Sequence, residues 1–361
     1  MFIKTFLKRI IFGNTYPLLK SRRDYAWKFP RIVHIENTNI CNARCTMCSM
    51  DAMIRKTGVM SFAQFEALIR ECAQHPEVRE VHLHGFGEPL VDKDLAKKIT
   101  LAKKLGIPFT YIVTNASLLS AEKAKDIIKA GLDGIKFSFY GMTVASYESI
   151  HLRLEFHKTV KNIETFFKVR DSLKALTPRV RFQFCPDLAP PEELDMFLEK
   201  WRPWMDADRG DLFYTTGLHN WAGGKNYLIP KLPESNRHCY WPFMHIQILW
   251  DGKVVPCCLD FDAKMVLGNV TYASIAQIWQ SETYEAFRDI WRKSRSSSIP
   301  LCARCDEPEG AYRPKPLMPM IQPHSRNIAS KMRRISLIGS KKIKSVLREV
   351  KMSFLYRNCN S

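Results

Sequence analysis

The chain has 361 residues, of which 46% are hydrophobic and 25% charged; this composition excludes an intrinsically disordered protein and suits one large domain plus a small one. Its eleven cysteines are clustered, and it has no apolar run long enough to span a bilayer and no signal-peptide pattern. These features favour metal binding in a reducing cytoplasm over disulfides. The net charge of +19 belongs to the ends, because residues 1–31 hold eight basic residues against one acidic residue and residues 311–361 hold twelve against one.

Residues 1–30 form a basic segment with the pattern of a short amphipathic helix. Its apolar residues are Phe2, Ile3, Phe6, Leu7 and Ile10, with Lys4, Lys8 and Arg9 interleaved. The segment is too short to cross a membrane. Two interpretations stay open: it makes a peripheral contact with the inner face of an anionic membrane, or it docks on its own domain.

Between residues 31 and 215, short β-rich runs alternate with amphipathic helical stretches. Strands are predicted at 32–36, 78–84, 108–113, 134–139, 179–184 and 211–215. One helix is predicted to begin at a capping box of Ser61 and Gln64, a second to end at Gly131 and a third to precede Pro178. This alternation predicts an α/β fold, a partial (β/α)6 TIM-like barrel with ligands at the C-terminal ends of parallel strands.

The first predicted strand is followed by Cys41-Asn-Ala-Arg-Cys45-Thr-Met-Cys48. Three thiolates can hold three irons of a four-iron four-sulfur (4Fe-4S) cluster and leave the fourth iron open for a chelating ligand. The alternative is a structural zinc site, but such a site takes four protein ligands and no fourth one stands close by in the sequence.

The CxxxCxxC spacing, with Met47 before the last cysteine, resembles the signature of the radical S-adenosylmethionine (SAM) superfamily. The resemblance implies that SAM chelates the open iron and is cleaved by one electron to a 5'-deoxyadenosyl radical, which abstracts hydrogen from a substrate. It also implies a flavodoxin- or ferredoxin-type electron donor.

Two further segments resemble SAM-contacting motifs of that family. Gly85-Phe86-Gly87-Glu88-Pro89 is similar to a GGEP segment, which implies that Gly87, Glu88 and Pro89 hold the SAM amino group. Thr114-Asn115-Ala116 is similar to a TNG segment at the ribose. Because alanine replaces the glycine, we expect no positive φ at Ala116.

The resemblance also implies SAM contacts from the fourth βα unit. Ser138 ends the fourth predicted strand, where relatives place a serine hydroxyl against SAM. Arg153 follows on the next predicted helical stretch, where an arginine pairs with the SAM carboxylate.

Several residues are candidates for the barrel interior. His82 and His84 alternate on the second strand, so both side chains face one way, either into the barrel or outward; we assign no zinc to them. Gln183 and Cys185, at the end of the fifth strand, and Tyr140 are candidates to line a substrate cavity.

Glycines and prolines at 216–235 predict a linker, after which residues 236–310 hold a second cysteine set. A hairpin is predicted over Gln247–Val255 with its turn at Asp251-Gly252, and one helix over Ile275–Trp291. These elements bring four thiols together from three places.

The second set resembles the SPASM and twitch domains of radical SAM enzymes. The continuation CxxxxxCxxxC is absent, which implies the shortened version with one auxiliary 4Fe-4S cluster. The implied ligands are Cys239, Cys257, Cys302 and Cys305. Cys258 is left out because adjacent cysteines rarely both reach one metal, and a four-thiolate zinc site is the alternative.

Residues 311–361 form a basic tail. After a proline-rich stretch, one apolar stripe is predicted on a basic helix: Ile343, Val346, Leu347 and Val350. This pattern is typical of a membrane-surface or acidic-partner element. The tail lacks interleaved stacking aromatics, so no nucleic-acid partner is expected.

These motifs predict a cytoplasmic radical SAM oxidoreductase. A carbon radical beside a hydroxyl can lose one more electron to a nearby cluster and become a carbonyl, so oxidation of a sugar or cyclitol-type alcohol is the leading hypothesis. Asp260 and Asp262 are candidates for the base. Two alternatives stay open: a radical SAM/SPASM peptide maturase, and a non-catalytic cluster-bearing regulatory or scaffold protein.

Overall fold

The computed structural model describes residues 26–225, 237 and 239–306, together with the backbone of residues 315–316. Most of the N-terminal segment, the second half of the predicted linker and the predicted amphipathic helix of the tail lie outside the described residues. Within the described part, the helices are too short or too polar to cross a bilayer.

Every predicted strand of the barrel is present. The strands are β1 (Ile32–Ile35), β2 (Arg44–Cys45), β3 (Glu80–His82), β4 (Thr110–Thr114), β5 (Gly134–Ser138), β6 (His151–Leu152), β7 (Arg179–Phe184), β8 (Leu212–Thr215), β9 (His245–Ile248), β10 (Lys253–Val255), β11 (Gly268–Asn269) and β12 (Lys315–Pro316). Strands β1, β3, β4, β5, β7 and β8 are neighbours in that order and parallel. The predicted partial TIM-like barrel is therefore confirmed.

Helices cover one face of this sheet. They are α1 (Phe62–Gln74), α2 (Leu95–Lys104), α3 (Ala121–Lys129), α4 (Val144–Ile150), α5 (Phe156–Ser172), α6 (Glu193–Trp201), α7 (Trp241–Met244), α8 (Ile275–Trp279), α9 (Glu282–Arg292) and α10 (Pro300–Ala303). The Ser61 side chain caps α1 by accepting from Gln64 N–H, and Gly131 follows α3 with φ 87°. Alternate strand residues such as Val33, Ile112 and Val180 are fully buried in the core that includes the helices.

The second cysteine region extends the same sheet. Strand β9 runs parallel to β1, and β10 and β11 follow it as antiparallel neighbours. The predicted hairpin is confirmed, because Leu249 N–H donates to Lys253 O at 2.8 Å and Gly252 takes φ 86° in the turn. The pairing of β9 with β1 places both cysteine regions on one framework.

The prediction of one helix over 275–291 was wrong. Helix α8 ends at Trp279 and α9 begins at Glu282, because the Ser281 hydroxyl caps α9 by accepting from Tyr284 N–H. The buried Arg288 side chain holds the break together by donating to Trp279 O at 2.8 Å.

Candidate cluster-binding sites

The loop of residues 41–48, called the cluster loop below, carries three thiols just beyond the C-terminal end of β1. Burial raises the pKa of Cys41 to about 11 and raises the pKa of Cys45 and Cys48 as well. The proximity of the other thiols raises the pKa of Cys45 further. Three half-buried thiolates that repel one another are stabilised by a bound cation, so this donor set fits a cluster bound through three irons.

The two SAM-like motifs hold the cluster loop in place. Asn115 Nδ2–H donates to Asn42 Oδ1 at 3.2 Å, and Asn42 Nδ2–H donates to Ser117 Oγ at 2.8 Å. A Cβ atom on Gly87 would lie 2.5 Å from Thr38 O. The close backbone approach expected of this glycine is therefore made to the chain that leads into the cluster loop.

The Glu88 carboxylate is buried and accepts three hydrogen bonds from the protein. Thr114 Oγ1–H lies 2.7 Å away, Asn115 N–H 2.8 Å and Leu90 N–H 3.1 Å. Pro89 begins a short 3-10 helix that ends at Val91. Glu88 thus joins the two motifs, while its contact with the SAM amino group stays a prediction, as do those of Gly87, Pro89, Thr114 and Asn115.

The expectation for Ala116 was wrong, because its φ is +60°. The turn after β4 imposes this left-handed conformation: Ala116 N–H donates to Thr114 Oγ1 at 2.9 Å, and Asn162 Nδ2–H donates to Ala116 O at 3.0 Å. The glycine of the related motif would fit here without strain.

Ser138 ends β5 as predicted, opposite Gln183 on β7. Arg153, however, lies in a turn after β6 instead of on a helix, with an exposed side chain and φ 74°. Met47 packs near Tyr140 and Cys185. The contacts of Ser138, Arg153 and Met47 with SAM stay predictions.

His151 was missed by the sequence analysis. Its Nδ1 atom lies 3.2 Å from Cys45 Sγ, and its Nε2 atom accepts from Tyr140 N–H at 3.1 Å. Burial lowers the pKa of His151 to about 3, so the imidazole is neutral. No sequence signal could have found it, because 106 positions separate it from Cys45.

His82 and His84 join two further histidines on the face of the sheet opposite the helix-packed core. His34 Nε2 lies 3.0 Å from His84 Nε2, and His34 Nδ1 lies 3.1 Å from His245 Nε2. His82 Nε2 lies 2.8 Å from a Glu80 carboxylate oxygen. Ring nitrogens of His34, His82 and His84 lie within 4.8 Å of one another, and the expectation that they bind no zinc stays a prediction.

Polar groups continue along the interior strands. Buried Lys136 donates from Nζ to Gln183 Oε1 at 2.7 Å, and Tyr214 donates its hydroxyl to the same oxygen at 3.3 Å. Burial lowers the pKa of Lys136, whereas the nearby thiols of Cys185 and Cys258 act in the opposite direction. Gln183 and Cys185 therefore lie close to a buried amine.

The second thiol set lines one cavity, called the auxiliary cavity below. Its lining comprises Cys239, Cys257, Cys302 and Cys305 together with Ala222, Trp241, Pro242, Pro256, Leu259, Phe287, Trp291 and Leu301. Burial raises the pKa of Cys302 to about 12 and that of Cys257 well above its usual value. Four thiols in an apolar enclosure fit a fully ligated cluster.

The segment 219–223, within the predicted linker, touches both sites. Trp221 Nε1–H donates to Met47 O in the cluster loop at 2.7 Å. The next residue, Ala222, lines the auxiliary cavity, and Asn220 N–H donates to Asp306 Oδ2 at 2.7 Å. The described part of this linker is therefore a structural bridge between the two sites.

The two candidate bases have backbone partners. Asp260 accepts from Lys264 N–H at 2.8 Å and Met265 N–H at 2.9 Å, and Asp262 accepts from Ile54 N–H and Arg55 N–H, both at 2.9 Å. These bonds shape the loops in which the two carboxylates lie, and a role of either one as the base stays a prediction.

Comparisons with known proteins agree with this architecture. A model of the radical SAM superfamily matches residues 35–180, and a model of the SPASM iron-sulfur cluster-binding domain matches residues 239–306. Together they cover more than half of the chain. A crystal structure of BtrN in complex with AdoMet and 2-DOIA has the same fold, with a TM-score of 0.54 at 18% identity over 76% of this chain and 92% of that one.

Three characterised relatives share most of the chain. A tungsten-containing aldehyde ferredoxin oxidoreductase cofactor-modifying protein of Pyrococcus furiosus is 26% identical, over 76% of this chain and 87% of that protein. An S-adenosyl-L-methionine-dependent 2-deoxy-scyllo-inosamine dehydrogenase of Niallia circulans is 23% identical, over 76% and 92%. A PqqA peptide cyclase of Bradyrhizobium diazoefficiens is 27% identical, over 78% and 82%.

The fold and the two thiol sites define an iron-sulfur enzyme built on a partial barrel. The chain belongs to the radical SAM superfamily and carries a C-terminal SPASM-type auxiliary cluster domain. Its cofactors are SAM, a SAM-binding 4Fe-4S cluster and auxiliary iron-sulfur chemistry in the SPASM domain, and it is a radical SAM oxidoreductase. That the auxiliary site holds a single 4Fe-4S cluster stays a prediction.

Proposed function

We propose that this enzyme oxidises a hydroxyl group of a sugar or cyclitol-type small molecule to a carbonyl. Cys41, Cys45 and Cys48 would hold the SAM-binding cluster. The auxiliary cluster would be held by Cys239, Cys257, Cys302 and Cys305. The observation that carries the proposal is the polar interior wall around Lys136, which can hydrogen-bond a hydroxylated substrate and which lies close to Cys258, the neighbour of an auxiliary ligand.

The oxidation divides into three transfers from one H–C–O–H unit. When bound, the cofactors supply a 5'-deoxyadenosyl radical that removes the carbon-bound hydrogen atom, and an auxiliary acceptor for one further electron. Loss of the hydroxyl proton then completes the carbonyl. In total, the substrate loses two electrons and two protons. One electron and one proton leave together as the hydrogen atom, the second electron passes to the auxiliary acceptor, and the second proton comes from the hydroxyl group.

Lys136 is the residue we propose as the acceptor of the hydroxyl proton. A base must be neutral before it can accept a proton, and burial lowers the pKa of Lys136 toward that condition. Its hydrogen bond to Gln183 fixes the position of Nζ. This assignment replaces Asp260 and Asp262, whose carboxylates are engaged by backbone N–H groups.

The test is an anaerobic assay with SAM, a chemical reductant and a panel of polyols, cyclitols and aminocyclitols. We expect one 5'-deoxyadenosine for each carbonyl formed, with deuterium from the oxidised carbon appearing in the deoxyadenosine. Deoxyadenosine formed at the same rate with and without every polyol would contradict the proposal.

Peptide modification is the second candidate, favoured by the 27% identity to a PqqA peptide cyclase over 78% of this chain. Short peptides encoded beside the gene, assayed in the same way, would distinguish the two: a crosslinked peptide with no polyol turnover would favour this candidate. The flavodoxin- or ferredoxin-type donor stays a prediction. The peripheral membrane contact also stays one, since most of the segments concerned lie outside the described residues.

A further inference from the structure

His151 lies directly opposite Cys45 where strands β2 and β6 pair in antiparallel fashion. Its Nδ1 atom is 3.2 Å from Cys45 Sγ. On the other side of the ring, Nε2 lies 3.1 Å from the backbone nitrogen of Tyr140, just beyond β5. The imidazole therefore bridges the cluster loop and the end of a barrel strand.

The backbone determines which ring nitrogen carries the proton. A backbone N–H can only donate, so Nε2 of His151 must present a lone pair to Tyr140. The single N–H of a neutral imidazole then resides on Nδ1 and points at Cys45 Sγ. The sulfur is consequently the acceptor of a hydrogen bond whose donor is fixed by geometry.

The ring has little freedom to leave this position. The His151 side chain is fully buried, and it stacks on the Tyr140 ring with centroids 5.4 Å apart and an interplanar angle of 12°. Tyr147 covers the ring with its centroid 4.6 Å away and is itself anchored by a hydroxyl bond to Thr159 of 3.1 Å.

The other two thiols of the cluster loop have backbone donors. Cys41 Sγ accepts from Ala43 N–H at 3.4 Å, and Cys48 interacts with the N–H groups of the two residues that follow it. Among the described donors to these three sulfurs, His151 donates from its side chain, whereas the others donate from the backbone. A substitution can therefore remove it.

Hydrogen bonds to cysteine sulfurs stabilise the more negative, reduced state of an iron-sulfur cluster and raise its reduction potential. We propose that His151, acting through Cys45, raises the reduction potential of the SAM-binding cluster and so eases the one-electron reduction that precedes SAM cleavage. The proposal rests on Cys45 being a cluster ligand and is independent of the substrate.

The test compares two variants of the full-length, anaerobically reconstituted protein. His151→Phe keeps a ring between the two tyrosines but has no donor, whereas His151→Asn places an amide N–H near the position of Nδ1. Both lose the acceptor for Tyr140 N–H, so they are matched in that respect. The readout is a redox titration followed by electron paramagnetic resonance, in which the signal that changes on SAM addition identifies the relevant cluster.

For His151→Phe we expect the ratio of reduced to oxidised cluster at a fixed potential to fall about tenfold, which is 59 mV for one electron. We expect His151→Asn to restore most of that ratio and the auxiliary signal to stay unchanged. Equal potentials in His151→Phe and wild type, or equal shifts in both variants, would overturn the proposal.

A measurement on the unsubstituted protein covers the case in which a variant loses its cluster. Electron-nuclear double resonance on the reduced, SAM-free protein labelled with 15N-histidine should show a 15N coupling and a proton coupling that disappears in D2O. Absence of the 15N coupling would overturn the proposal whatever the variants do.

Discussion

The three cysteines of the cluster loop come from eight consecutive residues, whereas the four of the auxiliary cavity come from three separated segments. The side chains that surround the two sets of cysteines also differ. Asn42, Glu88 and Asn115 form a polar network beside the first set, while tryptophan, proline, leucine and phenylalanine side chains enclose the second.

This difference separates two kinds of chemistry on one sheet. Three thiols in a polar setting would leave one iron for a charged chelating ligand. Four thiols in an apolar enclosure, if all bind one cluster, would leave no iron open and would restrict that cluster to passing electrons. The pairing of strand β9 with β1 and the hydrogen bond from Trp221 to the carbonyl of Met47 connect the two sites within one framework.

The largest effect is expected when one thiol of the cluster loop is removed. Cys45→Ala should reduce SAM cleavage to the uncatalysed background, because the cluster then lacks one of its three protein ligands. Deoxyadenosine release under reducing conditions is the measurement. Thr46→Ala, with an exposed side chain in the same loop, is the control and should retain wild-type cleavage; a fully active Cys45→Ala protein would contradict the assignment.

Removing one thiol of the auxiliary cavity should leave SAM cleavage intact but prevent oxidation of the substrate. Cys257→Ala should still release deoxyadenosine but form no carbonyl product, because the second electron then has no acceptor. The ratio of the two products, measured by mass spectrometry, reports this uncoupling. Cys258→Ala is the matched control, since Cys258 is adjacent in sequence and is not among the lining residues; uncoupling in both variants alike would refute the ligand assignment.

The third prediction concerns Lys136, the residue proposed to accept the hydroxyl proton of the substrate. Lys136→Met should lower carbonyl formation by about 100-fold, the usual scale for loss of a general base, while Lys129→Met, at an exposed position, should not. Because a lysine base acts when deprotonated, wild-type carbonyl formation should rise with pH and level off below the ordinary lysine pKa, since burial lowers the pKa of Lys136. An unchanged pH profile in Lys136→Met would exclude this role.

The smallest expected effect concerns Ala116, which follows Asn115 in the turn beside the cluster loop. Ala116→Gly should raise the free energy of unfolding by about 0.5 kcal/mol, since relief of the left-handed strain outweighs the added chain entropy only slightly. Thermal unfolding of the holoenzyme under anaerobic conditions would measure it. A clear drop in melting temperature would show that the positive φ carries no strain.

Local patterns in the sequence predicted where the cluster loop and the motifs beside it lie in the fold, and they predicted part of the auxiliary region. A short local motif marks each of three segments: the cluster loop, the segment Gly85–Pro89 and the end of β4. The βα alternation then places them at one edge of the barrel. The hairpin at Gly252 was equally readable because its turn chemistry is local.

What sequence reasoning missed depends on contacts between distant positions. The pairing of β9 with β1 joins residues more than 200 positions apart, and His151 reaches Cys45 only through the β2–β6 pair. The prediction that Ala116 has no positive φ failed because the turn around it, held by Asn162, imposes a positive φ despite the side chain. The split between α8 and α9 depended on one serine that served as a cap.

Counting metals in the anaerobically reconstituted protein tests the two-site account most directly. Elemental analysis with Mössbauer spectroscopy should find about eight irons in two 4Fe-4S clusters per chain. The Cys41→Ala/Cys45→Ala/Cys48→Ala variant should retain about four irons, all in a cluster that SAM does not perturb. About four irons together with one zinc in the wild-type protein, or loss of all iron in the triple variant, would contradict the account.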